Sequence, residues 1–245
     1  AGLNFNAILS FFAKAGRSFA DEFYLNFIKD SRWKYLTDGL GNTLIITMGA
    51  LILGIALGFL LALVRTTHDK TGKLGFLNGL ARLYLTVIRG TPVVVQLMII
   101  YFVVFASVRI NPVIVAIIAF GLNSAAYVAE IFRSGIMSID PGQMEAGRSL
   151  GLNYNQTMWK IIMPQAVKNV LPALGNEMIT LLKETSVSGY IALRDLTKGG
   201  DIIRGRTYSA FMPLLAVAAI YLAMVLVLQA LMGRLERRLA KSDRN

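Results

Sequence analysis

Glu177 is a carboxylate set inside a largely apolar segment, a placement that is costly at membrane depth and normally turned toward protein or a water-filled cavity. Thr180 and Glu184 continue its helical face, and Lys183 is close enough along the chain to neutralise either carboxylate. Two readings follow. Glu177 is either an anionic contact for a substrate ammonium group or one half of an internal salt bridge. Gln96, Asn123, Ser124 and Tyr127 add neutral polar groups to two other apolar segments. These either hydrogen bond between helices, at about 0.6 to 2 kcal/mol each, or line a path for a polar substrate together with Glu177 and Thr180. Glu130 and Arg133, spaced i,i+3 at the end of their segment, read as an interfacial ion pair.

Other chemistries lack their residues. With no cysteine and one histidine, His68, the chain has no thiolate or histidine cluster for a metal and no disulfide framework. Gly72-Lys73 runs into Leu74 and does not make a phosphate-binding G-x-x-x-x-G-K-[ST] loop. No paired intramembrane aspartates or Ser/His arrangement is present. Neither catalysis, a metal nor a cofactor is expected of this chain, so energy for any active process must come from elsewhere.

A second polar stretch, residues 140–164, interrupts the apolar pattern. Asp140 followed by Pro141 is a helix start, with Gln143 as a capping-box-like partner, and Gly151 is a stop. Asn153 with Gln156 restarts a helix whose apolar face carries Met158, Ile161 and Ile162 before Pro164 admits the next segment. Glu145, Ala146, Gly147, Gly151, Ile161, Met163 and Pro164 resemble the cytoplasmic E-A-A-x3-G-x9-I-x-L-P signature of type I ABC importer permeases, five of the seven positions agreeing. Gly147 replaces the second alanine and Met163 the leucine. The flanking A-A-Y-V-A-E-I-F-R-S-G-I, L-P-A-L-G-N-E and L-L-K-E-T-S-V, and R-G-T-P-x-x-V-Q-L at residues 89–97, are similar to the branch that takes up polar amino acids.

The elements around these residues are helical and apolar. Hydrophobic residues make up 55% of the chain and charged residues 16%, which suits a bilayer and not a soluble surface. Residues 41–64 are uncharged and would run about 36 Å as helix, enough for a hydrocarbon core of about 30 Å. Gly49, Ala50, Gly54, Ala56 and Gly58 give that segment small surfaces for close helix packing. Residues 65–89 read as a basic connector. Spans are then expected at 91–108, 110–129, 167–182 (interrupted by Pro172 and Gly175) and 207–233, five in all. The net charge of +11 comes from residues dispersed around these segments, where they meet lipid headgroups, and does not point to nucleic acid. Phe19, Phe23, Tyr24, Phe27 and Ile28 give residues 1–38 an amphipathic, interfacial character, without the basic start and compact apolar core of a signal peptide.

The fold expected is an all-α membrane protein. It has a five-helix transmembrane core of the type I ABC importer permease kind over residues 39–235, an N-terminal interfacial segment, a cytoplasmic coupling helix and a basic tail at 236–245. Five spans, the basic tail and the basic connector at 65–89 favour a cytoplasmic C-terminus. The resemblance further implies a bacterial cytoplasmic membrane, a second permease copy or paralogue, two ABC ATPase subunits carrying ATP-Mg, and an extracytoplasmic amino-acid-binding protein. Rival readings are a non-transporting scaffold or receptor, and a proton-coupled secondary transporter using Glu177.

Overall fold

The computed structural model describes residues 18–242. Among them the regular elements are all helices, and five successive passages run between the two ends of a bundle. A short lead-in, α1 at residues 18–23, continues through a π turn at Tyr24–Ile28 and a 3-10 turn at Lys29–Ser31. Helix α2 (Trp33–Thr71) is 39 residues long, about 58 Å by helical rise. It lies parallel to α5 (Pro112–Met137) along most of its length. The seam is made by small residues. A Cβ at Gly54 would come within 2.9 Å of Ser124 Oγ, and one at Gly58 within 2.7 Å of Val128 Cγ1. The two backbones therefore approach closely, as small contact residues allow between membrane helices. Ala50 is buried here too, whereas Ala56 of the same expected set faces outward.

Between these parallel helices the chain must return. Helix α3 (Gly75–Gly90) and α4 (Val93–Ile99), extended by a π turn at Ile100–Val104, make the return as a pair bent by 108°. The break falls at Thr91 and Pro92, both extended, as the steric restriction on a residue before proline requires. After α5 come α6 (Pro141–Ser149), α7 (Tyr154–Thr157) with its π turn at Met158–Ile162, and α8 (Met163–Glu184), which climbs back antiparallel to α5. A 3-10 segment, Thr185–Ile191, and α9 (Leu196–Thr207) pack against the start of α2, and α10 (Phe211–Ser242) makes the last passage. Ile46, Ala50, Leu97, Ala116, Ala119, Phe120, Leu181 and Ile191 form the central core.

Among the described residues three helices, α2, α5 and α10, are long and apolar enough to cross a membrane, and the bent pair makes a fourth if taken as one span. Helix α8 supplies the fifth passage. At 22 residues, about 33 Å, it is long enough, but Lys168, Glu177, Lys183 and Glu184 dilute its apolar character.

Several expectations change here. Residues 65–89 are not a connector: α2 continues to Thr71 and α3 occupies most of the rest, its apolar side chains recurring at helical spacing. The span expected at 91–108 is only the second arm of the bent pair. Pro164 stands in the first turn of α8, as expected, but no break precedes it. The π turn at Met158–Ile162 widens the hydrogen-bond ladder just before it, so α7 and α8 run on through a residue that lacks an N–H and would crowd the preceding turn. The expected boundaries at 38 and 235 both fall within continuous helices, α2 and α10. Residues 1–17 of the N-terminal segment lie outside the described residues. Within 18–31, Phe19, Phe23, Tyr24 and Ile28 are exposed while Asn26 and Phe27 are buried, and Asn26 accepts a hydrogen bond from Thr207 Oγ1 at 2.8 Å.

Candidate functional site

The stretch 140–164 folds into a helical hairpin closed by its own polar side chains. Asp140 caps α6 by accepting from Gly142 N at 2.8 Å, though Gln143 makes no return bond of the capping-box kind. Gly151, at φ +84°, lets the chain turn after α6, and Leu152 N donates to Gly147 O at 3.1 Å while Gly151 N donates to Arg148 O at 3.0 Å. This is the Schellman pair of bonds, which depends on a left-handed residue at that position. Asn153 and Gln156 then form the full reciprocal box: Gln156 N donates to Asn153 Oδ1 at 2.9 Å and Asn153 N to Gln156 Oε1 at 3.0 Å.

Gly147 locks the two arms together. A Cβ there would overlap Thr157 Cγ2 and lie 2.9 Å from its Oγ1 and 3.1 Å from Ile161 Cδ1. Met163 is buried with Ile136, Met158, Ile162 and Ala166, tying the hairpin to α5 and α8. The seven signature residues therefore divide. Glu145, Ala146, Gly151 and Pro164 face outward, Gly147 and Met163 form the internal joint, and Ile161 is half-buried. Leu150, 80% exposed at the end of α6, and Trp159, 56% exposed, add an apolar surface that the residue pattern had not singled out. The signal available was an isolated leucine between Ser149 and Gly151 in a polar stretch.

The intramembrane polar residues do not form one group. Successive residues on a helix point about 100° apart, so Asn123 and Ser124 of α5 face different neighbours. Ser124 Oγ donates to Glu177 Oε1 at 2.7 Å across the α5–α8 contact, with Gly54 of α2 behind it. Asn123 Nδ2 donates instead to Gln96 Oε1 at 2.9 Å. Gln96 Nε2 in turn donates to Ile88 O at 2.8 Å, Thr91 O at 3.0 Å and Thr91 Oγ1 at 2.8 Å. It thereby satisfies carbonyls left open where α3 ends. Both groups of the Gln96 amide are engaged within the protein.

Tyr127 lies beside Arg89, whose guanidinium carbon is 5.5 Å from the ring centroid. Thr180 is exposed on α8 and Glu184 half-buried beyond it. Lys183 is exposed, and no ion pair joins it to Glu177 or Glu184 among the described residues, so the internal salt bridge considered for Glu177 does not form with it. What the structure brings together is Ser124 with Glu177, and separately Gln96 with Asn123.

Charged residues gather at both ends of the bundle. At the hairpin end, Glu130 is held by Arg65 and Arg133, each at 2.9 Å, and Arg133 reaches Asp69 at 3.5 Å. At the opposite end, Asp195 caps α9 by accepting from Lys198 N at 2.9 Å, and its second carboxylate oxygen is buried without a partner. Burial pushes that carboxyl up to about 6 from its ordinary 3.8, against the lowering pull of its backbone hydrogen bonds.

Residues 50–241 match the family of binding-protein-dependent transport system inner membrane components. The chain is 38% identical over 211 residues to the arginine transport system permease protein ArtQ of Bacillus subtilis (strain 168), covering 85% of this chain and 94% of that one. It is 39% identical over 207 residues to the glutamine transport system permease protein GlnP of Escherichia coli (strain K12), covering 83% and 92%. Among solved structures, a chain of an amino acid ABC transporter crystallised with histidines superposes with a TM-score of 0.76 at 40% identity, over 86% of this chain and 98% of that one. A chain of the inward-facing MetNI methionine ABC transporter, 21% identical, shares the fold with a TM-score of 0.73 over 84% and 97%.

Proposed function

The chain belongs to the family of binding-protein-dependent transport system inner membrane components, and on that premise we propose that it is the membrane-spanning permease of an ATP-driven amino acid importer. It provides the path across the membrane and leaves nucleotide chemistry to separate ATPase subunits, two per transporter, that bind ATP-Mg. A second copy of this chain or a close paralogue completes the path, and an extracytoplasmic binding protein delivers the amino acid. The hairpin end faces the cytoplasm together with the C-terminus.

The observation that carries this reading is the rigid joint of the hairpin. Glu145, Ala146, Leu150 and Gly151 present an exposed surface, while Gly147 and Met163 fasten the same element to α5 and α8. A push on such a surface is transmitted to the bundle because the packed joint does not deform continuously. ATP-driven closure of the ATPase pair would tilt α8 and expose the path alternately to each side.

Glu177, held by Ser124, is the contact for the ammonium group of the amino acid, with Thr180 and Glu184 along the same face. Reconstitution of this chain into vesicles with its ATPase and binding protein tests the proposal. Amino acid accumulation that requires ATP supports it. Accumulation driven by a pH gradient without nucleotide, or ATP-dependent assembly with no accumulation, contradicts it.

A further inference from the structure

A recess of about 450 Å³ opens between α2, α3 and α5, lined by Arg65, Arg82, Leu85, Thr86, Arg89 and Glu130. Arg82, Thr86 and Arg89 fall at i, i+4 and i+7 on α3 and so share one face. Three guanidinium groups meet one carboxylate there, and that carboxylate is already committed, Glu130 accepting from Arg65 at 2.9 Å and from Arg133 at 2.9 Å. Arg82 and Arg89 form no ion pair among the described residues. Arg89 is steadied by the Tyr127 ring, and Arg65 Nε is buried without an acceptor. The recess thus carries more positive charge than its one carboxylate can neutralise.

From this we infer that the recess binds an anionic phosphate group. Planar guanidinium forks match phosphate oxygens in paired hydrogen bonds, whereas the Thr86 hydroxyl already donates to Arg82 O at 2.9 Å. The adjoining faces of α3 expose Phe76, Leu80, Leu83 and Val87, which suits a helix lying at a bilayer interface. A basic pocket between transmembrane helices beside such a surface is the arrangement that takes anionic lipid headgroups. Free phosphate offers the same oxygens, and the two sources are separated by experiment.

The permease assembled with its ATPase is placed in nanodiscs of phosphatidylcholine containing a minor fraction of phosphatidylglycerol, and retained lipids are counted by native mass spectrometry. Phosphatidylglycerol is expected to be retained in preference to phosphatidylcholine, with about 5-fold of that preference lost for each of R82Q and R89Q, both at exposed side chains. R82K and R89K, which keep the charge but lose the paired hydrogen bonds, restore only part of it. K70Q/K73Q, which removes two nearby exposed charges outside the recess, leaves it unchanged. A parallel arm titrates inorganic phosphate in phosphatidylcholine discs and follows thermal stability. A phosphate-dependent rise that R82Q/R89Q abolishes, without lipid preference, assigns the site to free phosphate. Equal lipid retention and equal phosphate response in wild type and R82Q/R89Q, or equal losses in K70Q/K73Q, overturns the inference.

Discussion

At Gly147, inside the hairpin, packing directly limits substitution. The alanine that the permease signature has at this place would press on Thr157, so G147A is expected to cost about 1 to 3 kcal/mol by overpacking. Removing the obstructing methyl restores the space. The double variant G147A/T157S is therefore expected to regain the thermal stability and ATP-dependent uptake that G147A loses, and a double variant as impaired as the single one would show that Thr157 is not the constraint. Glu177 makes a different prediction. If its carboxylate meets the substrate ammonium, E177Q weakens substrate affinity roughly 10- to 100-fold, the worth of a charge-assisted hydrogen bond, while the Ser124 contact and protein stability survive. Transport assays with unchanged affinity and unchanged uptake would remove Glu177 from the site.

The elements depend on side chains that close their ends. Gln96 sits on α4 yet caps α3, and through Asn123 it fixes both to α5. Q96L strands the Asn123 donor and the carbonyls of Ile88 and Thr91, and should cost about 1 to 3 kcal/mol, read as a lowered unfolding temperature in detergent. The proline at 92 was legible as a helix start, but the size of the 108° bend was not: Gln96 ties α4 back to the end of α3 and, through Asn123, to α5, 27 residues away. At the other end of the bundle, the raised pKa of Asp195 means that the folded state holds its proton more tightly than the unfolded chain. Its stabilising contribution is complete below pH 3.8 and is lost as pH rises through about 6. D195N keeps a capping oxygen without that charge. The unfolding temperature of D195N minus that of wild type should therefore rise between pH 4.5 and 7.5, and a difference independent of pH would contradict the assignment. Asp201, lowered by Lys198 and Arg204, loses its contribution only as pH falls through a value below 3.8, outside that window.

For the whole molecule, local rules carried far where the chain's own neighbours decide the structure. The Asp140 and Asn153 caps, the stop at Gly151 and the small seam of Gly54 and Gly58 all follow from nearby residue types. They failed where distant parts meet. Which neighbours the adjacent Asn123 and Ser124 would bond was not legible, and they serve two different interhelical contacts, while a run rich in basic residues concealed an amphipathic helix, α3. The hairpin is legible on both grounds, as a local fold and as a family signature, and the transport cycle is proposed to enter the membrane through it. In vesicles containing the full transporter, the number of amino acid molecules imported per ATP hydrolysed is the direct test, compared between wild type and G151V. A β-branched residue is strained at φ +84° and would undo the turn that shapes the hairpin. The expected result is an import-to-hydrolysis ratio reduced at least about tenfold, with ATP hydrolysis continuing and substrate affinity retained. An unchanged ratio in a G151V transporter that is folded and hydrolyses ATP would contradict the role assigned to the hairpin.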